Sequence, residues 1–175
     1  MTDRTGIRSW FVLFSILVTC YSLLSSGCGW RLRGSYDFPP SMEKLYVQGT
    51  ARYSELGIAI HNAFQGTNST LVSSPAETTA ILHILAEKSD KRILATDSSG
   101  RASEYEISYL LRFRLVDTKG AELVHEQQVS SKREYKFDPS NVLASGGEVE
   151  RLQKDMIRIS VQQMLYRINA NLHSK

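Results

Sequence analysis

The chain has 175 residues, a formal net charge of +3 and two cysteines, which is enough for one domain with a real core. The charge is too small to indicate a nucleic-acid partner. Both cysteines, Cys20 and Cys28, lie near the amino terminus, so the folded part cannot contain a disulfide framework. The histidines are scattered and fit no zinc motif, and we expect no metal or other cofactor.

The amino-terminal residues have the pattern of a secretory signal. A weakly positive start with Arg4 and Arg8 precedes an apolar run over residues 10–24. This run is short for a membrane span, which needs about 20 residues, and small residues follow it. We therefore expect residues 1–27 to be a lipoprotein-type signal peptide that is removed. An uncleaved membrane anchor is the alternative.

Cys28 is the predicted lipidation site. Small residues at positions 25–27 stand directly before it, as in bacterial lipoprotein signals. Cys20 is a poorer candidate, because Thr19 is too large for the cleavage position. Each buried acyl methylene contributes about 0.8 kcal/mol, so several chains would anchor the protein firmly. Gly29 stands where lipoproteins held at the inner membrane commonly carry Asp, which favours the outer membrane.

The mature chain is expected to begin with a lipidated tether and to continue as one domain. Residues 28–43 form the tether, which two adjacent prolines stiffen, and residues 44–173 form a single α+β domain. Within that domain, residues 44–48 predict a short strand. Residues 53–65 predict a helix with its apolar side chains on one side.

Strict alternation over residues 104–115 is the clearest signal in the chain. Odd positions are apolar and even positions are polar, with Leu110 as the one exception, which predicts a long half-buried strand. Residues 80–87 and 92–96 predict one long or interrupted strand before it, and residues 123–137 predict its partner after it. Short turns containing glycine connect these strands.

The register of the last two strands follows from their side chains. Placing Val129 opposite Tyr109 also places His125 opposite Phe113 and puts apolar residues on one face. Opposite charges then meet on the other face. A slip by one residue would reverse the facing of every side chain.

The end of the chain predicts a loop over residues 141–147 and a long helix over residues 148–172. The wide apolar stripe of this helix suits packing on a sheet. The predicted order is therefore β-α-β-β-β-α. We expect an α+β two-layer sandwich, with two helices packed on one face of a four-stranded sheet.

The sequence contains no GxSxG, HExxH, P-loop or GxGxxG motif, and we expect a protein that is not an enzyme. His83 and His125 lie on predicted strands, where a packed neutral histidine is the common case. A hydrolase that uses one of these two residues or His61 is the remaining enzymatic alternative.

Basic residues gather at one end of the predicted sheet. Arg101 lies at a turn, and the register places Lys136 opposite Ala102 beside it. Lys132 lies one step inward, and Arg92 approaches along the preceding strand. Such a cluster binds phosphates through charge and donated hydrogen bonds. A solvated strand end that discourages edge aggregation is the alternative.

The stretch "CGWRLRG", which begins at Cys28, resembles the mature start of the LPS-assembly lipoprotein family LptE, also called RlpB. Three further stretches agree with that family in order: "PPSMEKLYV", "SSGRASEYEISYLLRF" and "QKDMIRISVQQMLYRI". The resemblance spans almost the whole mature chain.

The resemblance implies a plug inside the outer-membrane β-barrel LptD, which the family also helps to assemble for lipopolysaccharide insertion. It implies direct lipopolysaccharide binding by basic residues near the turn and after the last strand, for which Arg101, Lys136, Arg92 and Lys132 are the candidates. The implied location is the periplasmic face of the cell outer membrane, with a lipid anchor at Cys28. A freestanding periplasmic lipoprotein that binds a lipid or cell-wall ligand is the alternative.

Overall fold

Residues 36–137 and 142–174 are described by a computed structural model. The predicted signal peptide, Cys28 and the tether up to residue 35 lie outside the described residues. The elements are β1 (Lys44–Gln48), α1 (Glu55–Phe64), β2 (Thr70–Val72), β3 (Ala80–Thr96), β4 (Ala102–Asp117), β5 (Glu122–Lys136) and α2 (Val142–His173).

The sheet has five strands in the order β2-β1-β3-β4-β5, so the expected four-stranded sheet is wrong by one strand. The additional strand is β2, which pairs in parallel with β1 from Lys44↔Thr70 to Tyr46↔Val72. Three residues are too few for an alternating pattern to appear in the sequence, since such patterns need about four to eight residues. Because β1 also runs parallel to β3, the sheet is mixed.

The strand β3 is one continuous 17-residue strand, which settles the choice between a long and an interrupted one. It pairs antiparallel with β4 from Ala80↔Asp117 to Thr96↔Ala102. Only its first residues pair with β1, and most of the strand from Glu87 onward is exposed. The distal halves of β3, β4 and β5 therefore continue past β1 as a three-stranded ribbon.

The predicted register between β4 and β5 is wrong along most of its length. Irregularities near the turn shift the partners by two residues, so Val129 faces Leu111 and the partner of Phe113 is Gln127. Bulges of this kind insert unpaired residues into one strand. A shift by two residues keeps the facing of the side chains, and Val129 is buried as expected, whereas the side chain of His125 is 76% exposed.

The core lies between the helices and the odd face of β4, as the alternation predicts. Both helices supply buried side chains to the same apolar cluster. The helix α1 begins where Ser54 Oγ accepts a hydrogen bond from the Gly57 amide. The helix α2 starts at Val142, so the stretch expected as a loop is helical from that residue. The largest fully buried side chains include Phe64, Phe113, Met42, Leu45, Leu56, Ile60, Leu82, Ile107 and Leu111.

The described part of the predicted tether packs onto this core. Phe38 is 4% exposed and Met42 is fully buried, and the ring of Phe38 lies 6.0 Å from that of Phe64. The side chain of Asn68 accepts from the Phe38 amide and donates to its carbonyl oxygen, both at 2.8 Å. Residues 38–42 therefore contribute to the folded domain, and the exact boundary of the tether stays a prediction.

Candidate functional site

The three long strands end in a region that we call the tip, formed by residues 91–106 and 132–137. The antiparallel pairing of β3, β4 and β5 places the turn between β3 and β4 beside the end of β5. All four cations selected from the sequence lie in this region. The tip is exposed on much of both faces because the ribbon extends beyond β1.

Two of the selected cations share one carboxylate. Arg92 Nε donates to Glu106 Oε1 over 2.8 Å, and Lys132 Nζ lies 3.5 Å from the same oxygen. The hydrogen bond from Arg92 lowers the pKa of Glu106, and the same bond raises the pKa of Arg92. The three side chains form a row across β3, β4 and β5 on the face of the sheet opposite the helices, which we call the outer face.

Arg101 is held within its own turn. Its Nε donates to Asp97 Oδ2 over 3.0 Å, and its backbone amide donates to Asp97 Oδ1. The backbone bond is the largest cause of the lowered pKa of Asp97. Gly100 has a φ of +76°, which favours glycine at that position of the turn. The turn thus presents Arg101 in a defined geometry beside a carboxylate.

Lys136 lies opposite Glu104 rather than Ala102, because the shifted register moves it two residues away from the turn. Its Nζ is 3.8 Å from Glu104 Oε1, and the side chain is 87% exposed. An exposed pair at this distance contributes little stability. Lys136 is therefore the selected cation whose charge is most accessible to a ligand.

The opposite face of the tip carries an aromatic cluster and Lys91, a cation that also approaches the tip along β3 but is not one of the four selected candidates. The rings of Tyr105 and Tyr135 stack at 5.4 Å, and Phe137 meets Tyr105 edge-on at 5.9 Å. Lys91 Nζ lies 4.0 Å from the centre of the Tyr105 ring, a cation–π contact. Lys91 and Ile93 lie on the same face of β3, where they pair with Ile107 and Tyr105 of β4.

The histidines of the enzymatic alternative do not form one site. His61 lies on α1, while His83 and His125 lie on β3 and β5 near the ion pair of Arg114 with Glu122. Burial, and then the charge of Arg114, lower the pKa of His83. Within residues 36–137 and 142–174, no group of histidine, cysteine and carboxylate side chains has an arrangement that could hold a metal ion.

None of the described helices combines the length and the apolar character that a membrane crossing requires. The long helix α2 instead buries one side against the sheet: Met164 and Ile168 are fully buried, while Tyr166 is 65% exposed. Arg167 on α2 also donates to the Gln128 carbonyl oxygen of β5 over 2.6 Å.

Solved structures of bacterial lipoproteins share this fold. The solution structure of an uncharacterized lipoprotein B from Nitrosomonas europaea has a TM-score of 0.67 at 31% identity, covering 82% of this chain and 92% of that one. A minor lipoprotein from Acinetobacter baumannii has a TM-score of 0.63 at 19% identity, covering 76% and 95%. The fold thus places this chain in a class of α+β domains that occurs in bacterial lipoproteins.

Sequence comparisons narrow the class to one family. The family described as "LptE: Lipopolysaccharide-assembly" matches residues 42–168. The LPS-assembly lipoprotein LptE of Yersinia enterocolitica is 24% identical over 157 residues, covering 89% of this chain and 75% of the relative. That of Photorhabdus laumondii is 22% identical over 162 residues, covering 90% and 88%. The chain belongs to the LptE family of lipopolysaccharide-assembly lipoproteins, which confirms the resemblance noted in the sequence.

Proposed function

We propose that this chain is a non-enzymatic lipoprotein of the outer membrane that plugs an LptD-like β-barrel, helps it to assemble, and binds lipopolysaccharide directly. The observation that carries the proposal is the family match over residues 42–168, which spans the whole sheet and most of α2. The proposal has three parts: the anchor, the contact with the barrel, and the contact with lipopolysaccharide.

The anchor is the acylated thiol of Cys28. Its acyl chains would lie in the inner leaflet of the outer membrane, since each methylene transferred from water contributes about 0.8 kcal/mol. The described chain packs against the core from Tyr36 onward, which leaves a short connecting segment between the thiol and the core. Such a connection keeps the domain at the periplasmic face of that membrane.

The outer face of the sheet supports the contact with a barrel lumen. Ion pairs run along it: Glu126 with Arg112 at 3.1 Å and Glu122 with Arg114 at 3.7 Å, followed by the pairs of Glu106 at the tip. The interior of an outer-membrane barrel is polar and contains water. A face of mixed charge that no described helix covers suits this polar interior better than an apolar face would.

The tip supports the contact with lipopolysaccharide, whose phosphates need cations and hydrogen-bond donors. Lys136 and Arg101 are the stronger candidates, because Lys136 is highly exposed and Arg101 is fixed within a turn. Arg92 and Lys132 would have to leave or share Glu106. Lys91 is a further cation of the tip, beside aromatic rings that suit the apolar part of an amphiphile.

A crosslinking scan tests the two contacts together. A photoreactive residue is placed in turn at positions 98 to 103 of the full chain, and adducts are read for a β-barrel protein and for lipopolysaccharide. The matched control is the same residue at position 119, in the turn at the other end of β4. We expect adducts with both the β-barrel protein and lipopolysaccharide from the tip positions. We expect position 119 to give a different set of adducts.

Absence of both adducts from all six tip positions, with the chain correctly located in the membrane, would overturn the proposed contacts. Lipopolysaccharide adducts without barrel adducts would instead favour the freestanding lipoprotein. That alternative also predicts that depletion of the chain leaves the folding of outer-membrane barrels unchanged.

A further inference from the structure

We propose that a cleft beside β2, away from the tip, binds a sugar acid or a sugar phosphate through its oxyanion. The cleft has a volume of about 300 Å³ and lies between α1 and the carboxyl ends of β1 and β2. Pockets of a few hundred cubic ångströms accept small organic molecules. The carboxyl ends of parallel strands are also the usual place for ligands in α/β sheets.

The charge of the lining residues selects an anion. Arg52 and His61 both line the cleft, and none of the aspartates and glutamates among the described residues does. Within the described part of the chain, the guanidinium of Arg52 has one hydrogen bond, from Nη1 to Ser73 Oγ at 2.8 Å, and no carboxylate partner. In this it differs from Arg92 and Arg101 of the tip, each of which is paired with a carboxylate.

The hydroxyl groups at the mouth of the cleft differ in what they can donate. Ser54 Oγ donates to the Ala51 carbonyl oxygen, so Thr50 must donate in its bond to Ser54 and its proton is committed. Ser73 Oγ accepts from Arg52, which leaves its own proton free. Arg52, Ser73 and the ring of His61 all line the cleft and can each donate a hydrogen bond to an oxyanion bound there.

The floor of the cleft accommodates the body that carries the oxyanion. It includes Val47, Ile60 and Leu71, which also pack against the core, and Tyr46 lines the same cleft. Aliphatic and aromatic surfaces of this kind contact the apolar faces of a sugar ring. An inorganic anion would leave this part of the cleft unfilled.

Close packing holds the loop that carries Arg52 in place. A Cβ atom on Gly57 would lie 2.2 Å from the Ala51 carbonyl oxygen and 2.7 Å from that of Arg52, so α1 presses directly on this loop. Packing thus fixes the backbone at Arg52, and the bond to Ser73 restrains its side chain. Both restraints lower the entropic cost of binding.

The test is a titration of the isotopically labelled full chain in detergent, followed by amide shifts in two-dimensional NMR spectra. The probes are glucuronate, glucose 6-phosphate, inorganic phosphate and neutral glucose. We expect saturable shifts at Gly57 and His61 with glucuronate or glucose 6-phosphate. Affinity should fall at least tenfold in Arg52→Gln and stay unchanged in Lys119→Gln, which removes a cation from the turn between β4 and β5.

Three results would overturn the proposal. The first is a lack of saturable shifts at the cleft with both anionic sugars. The second is equal affinity of Arg52→Gln and the parent chain while their unfolding midpoints agree. The third is binding of glucose, or of phosphate alone, as tight as that of the anionic sugars. The cleft contains none of the tip residues. Failure of the cleft proposal would therefore leave the proposed contacts of the tip unaffected.

Discussion

Arg92 and Glu106 join β3 to β4 at the base of the tip, with Arg92 Nε 2.8 Å from Glu106 Oε1. The carboxylate is the more buried partner, since the side chain of Glu106 is 10% exposed and that of Arg92 is 60% exposed. Lys132 approaches the same oxygen from β5. One carboxylate therefore holds cations from both neighbouring strands and connects all three strands of the ribbon.

Substitution Glu106→Gln is expected to destabilise the tip and to increase its affinity for phosphate. The substitution removes the negative charge that Arg92 and Lys132 share. It leaves both cations available to a ligand. Binding of lipopolysaccharide to the full chain in detergent should become tighter, while the urea midpoint at pH 7 should fall. Glu126→Gln is the matched control, because it removes an exposed partner of Arg112 away from the tip.

The stabilisation by Glu106 should also depend on pH. The pKa of Glu106 is lowered below its ordinary value of 4.5, so the unfolded chain binds this proton more readily than the folded one. The contribution is present above pH 4.5 and is lost as the pH falls through the lowered pKa of the folded state. The difference in urea midpoint between the parent and Glu106→Gln should therefore shrink below pH 4.5. A difference that grows as the pH falls would contradict this assignment.

Charge reversal at the two most favourable tip cations should weaken lipopolysaccharide binding. A charge-assisted hydrogen bond contributes about 1.5–3 kcal/mol, so Lys136→Glu and Arg101→Glu are each expected to reduce affinity by about tenfold or more. The control is Lys119→Glu, which makes the same change of charge at the far turn. Equal losses in all three variants would indicate a general effect of net charge and would count against a site at the tip.

Two helical glycines should respond in opposite directions to alanine. Gly57→Ala brings a Cβ atom within 2.2 Å of the Ala51 carbonyl oxygen, whereas no atom of the described residues lies within 4 Å of a Cβ atom at Gly147. We expect Gly57→Ala to destabilise by about 1–3 kcal/mol through overpacking. We expect Gly147→Ala to stabilise by about 0.5–1 kcal/mol through reduced chain entropy. Urea unfolding of both variants measures the difference, and equal effects would contradict the packing around α1.

The long elements of the fold could be predicted from the sequence because their patterns extend over many residues. The alternation of β4 and the wide stripe of α2 each place apolar side chains on one face, and those side chains are buried. The strand β2 was missed because three residues carry no period. The register of β5 was wrong because bulges near the turn depend on packing rather than on pairwise matching of side chains.

The sequence predicted where the candidate cations gather, but it did not predict which carboxylates they pair with. Antiparallel strands joined by short turns must bring their ends together, which placed the four cations in one region. The sharing of Glu106 by Arg92 and Lys132 depends on side-chain paths across three strands, and no spacing in the sequence encodes it. Arg52 of the cleft was missed for a similar reason, since Ser73 meets it only after β2 is in place.

Lipidation at Cys28 is tested by Cys28→Ser in the native cells. We expect loss of labelled palmitate from the chain and weaker retention in the membrane, because the acyl chains at this thiol are the proposed anchor. Cys20→Ser is the control and should keep the label. Label and membrane location that persist in Cys28→Ser would show that the chain is held by another means.

Quantitative co-purification tests the central claim most directly. The full chain, carrying a small affinity tag and expressed at its native level, is purified from detergent-solubilised outer membranes, and its partners are identified and counted. We predict one LptD-like β-barrel per chain, retained through gel filtration, with a tag on an unrelated outer-membrane lipoprotein as the control. A chain that elutes alone as a stable monomer, while the barrel elutes separately and intact, would contradict the account.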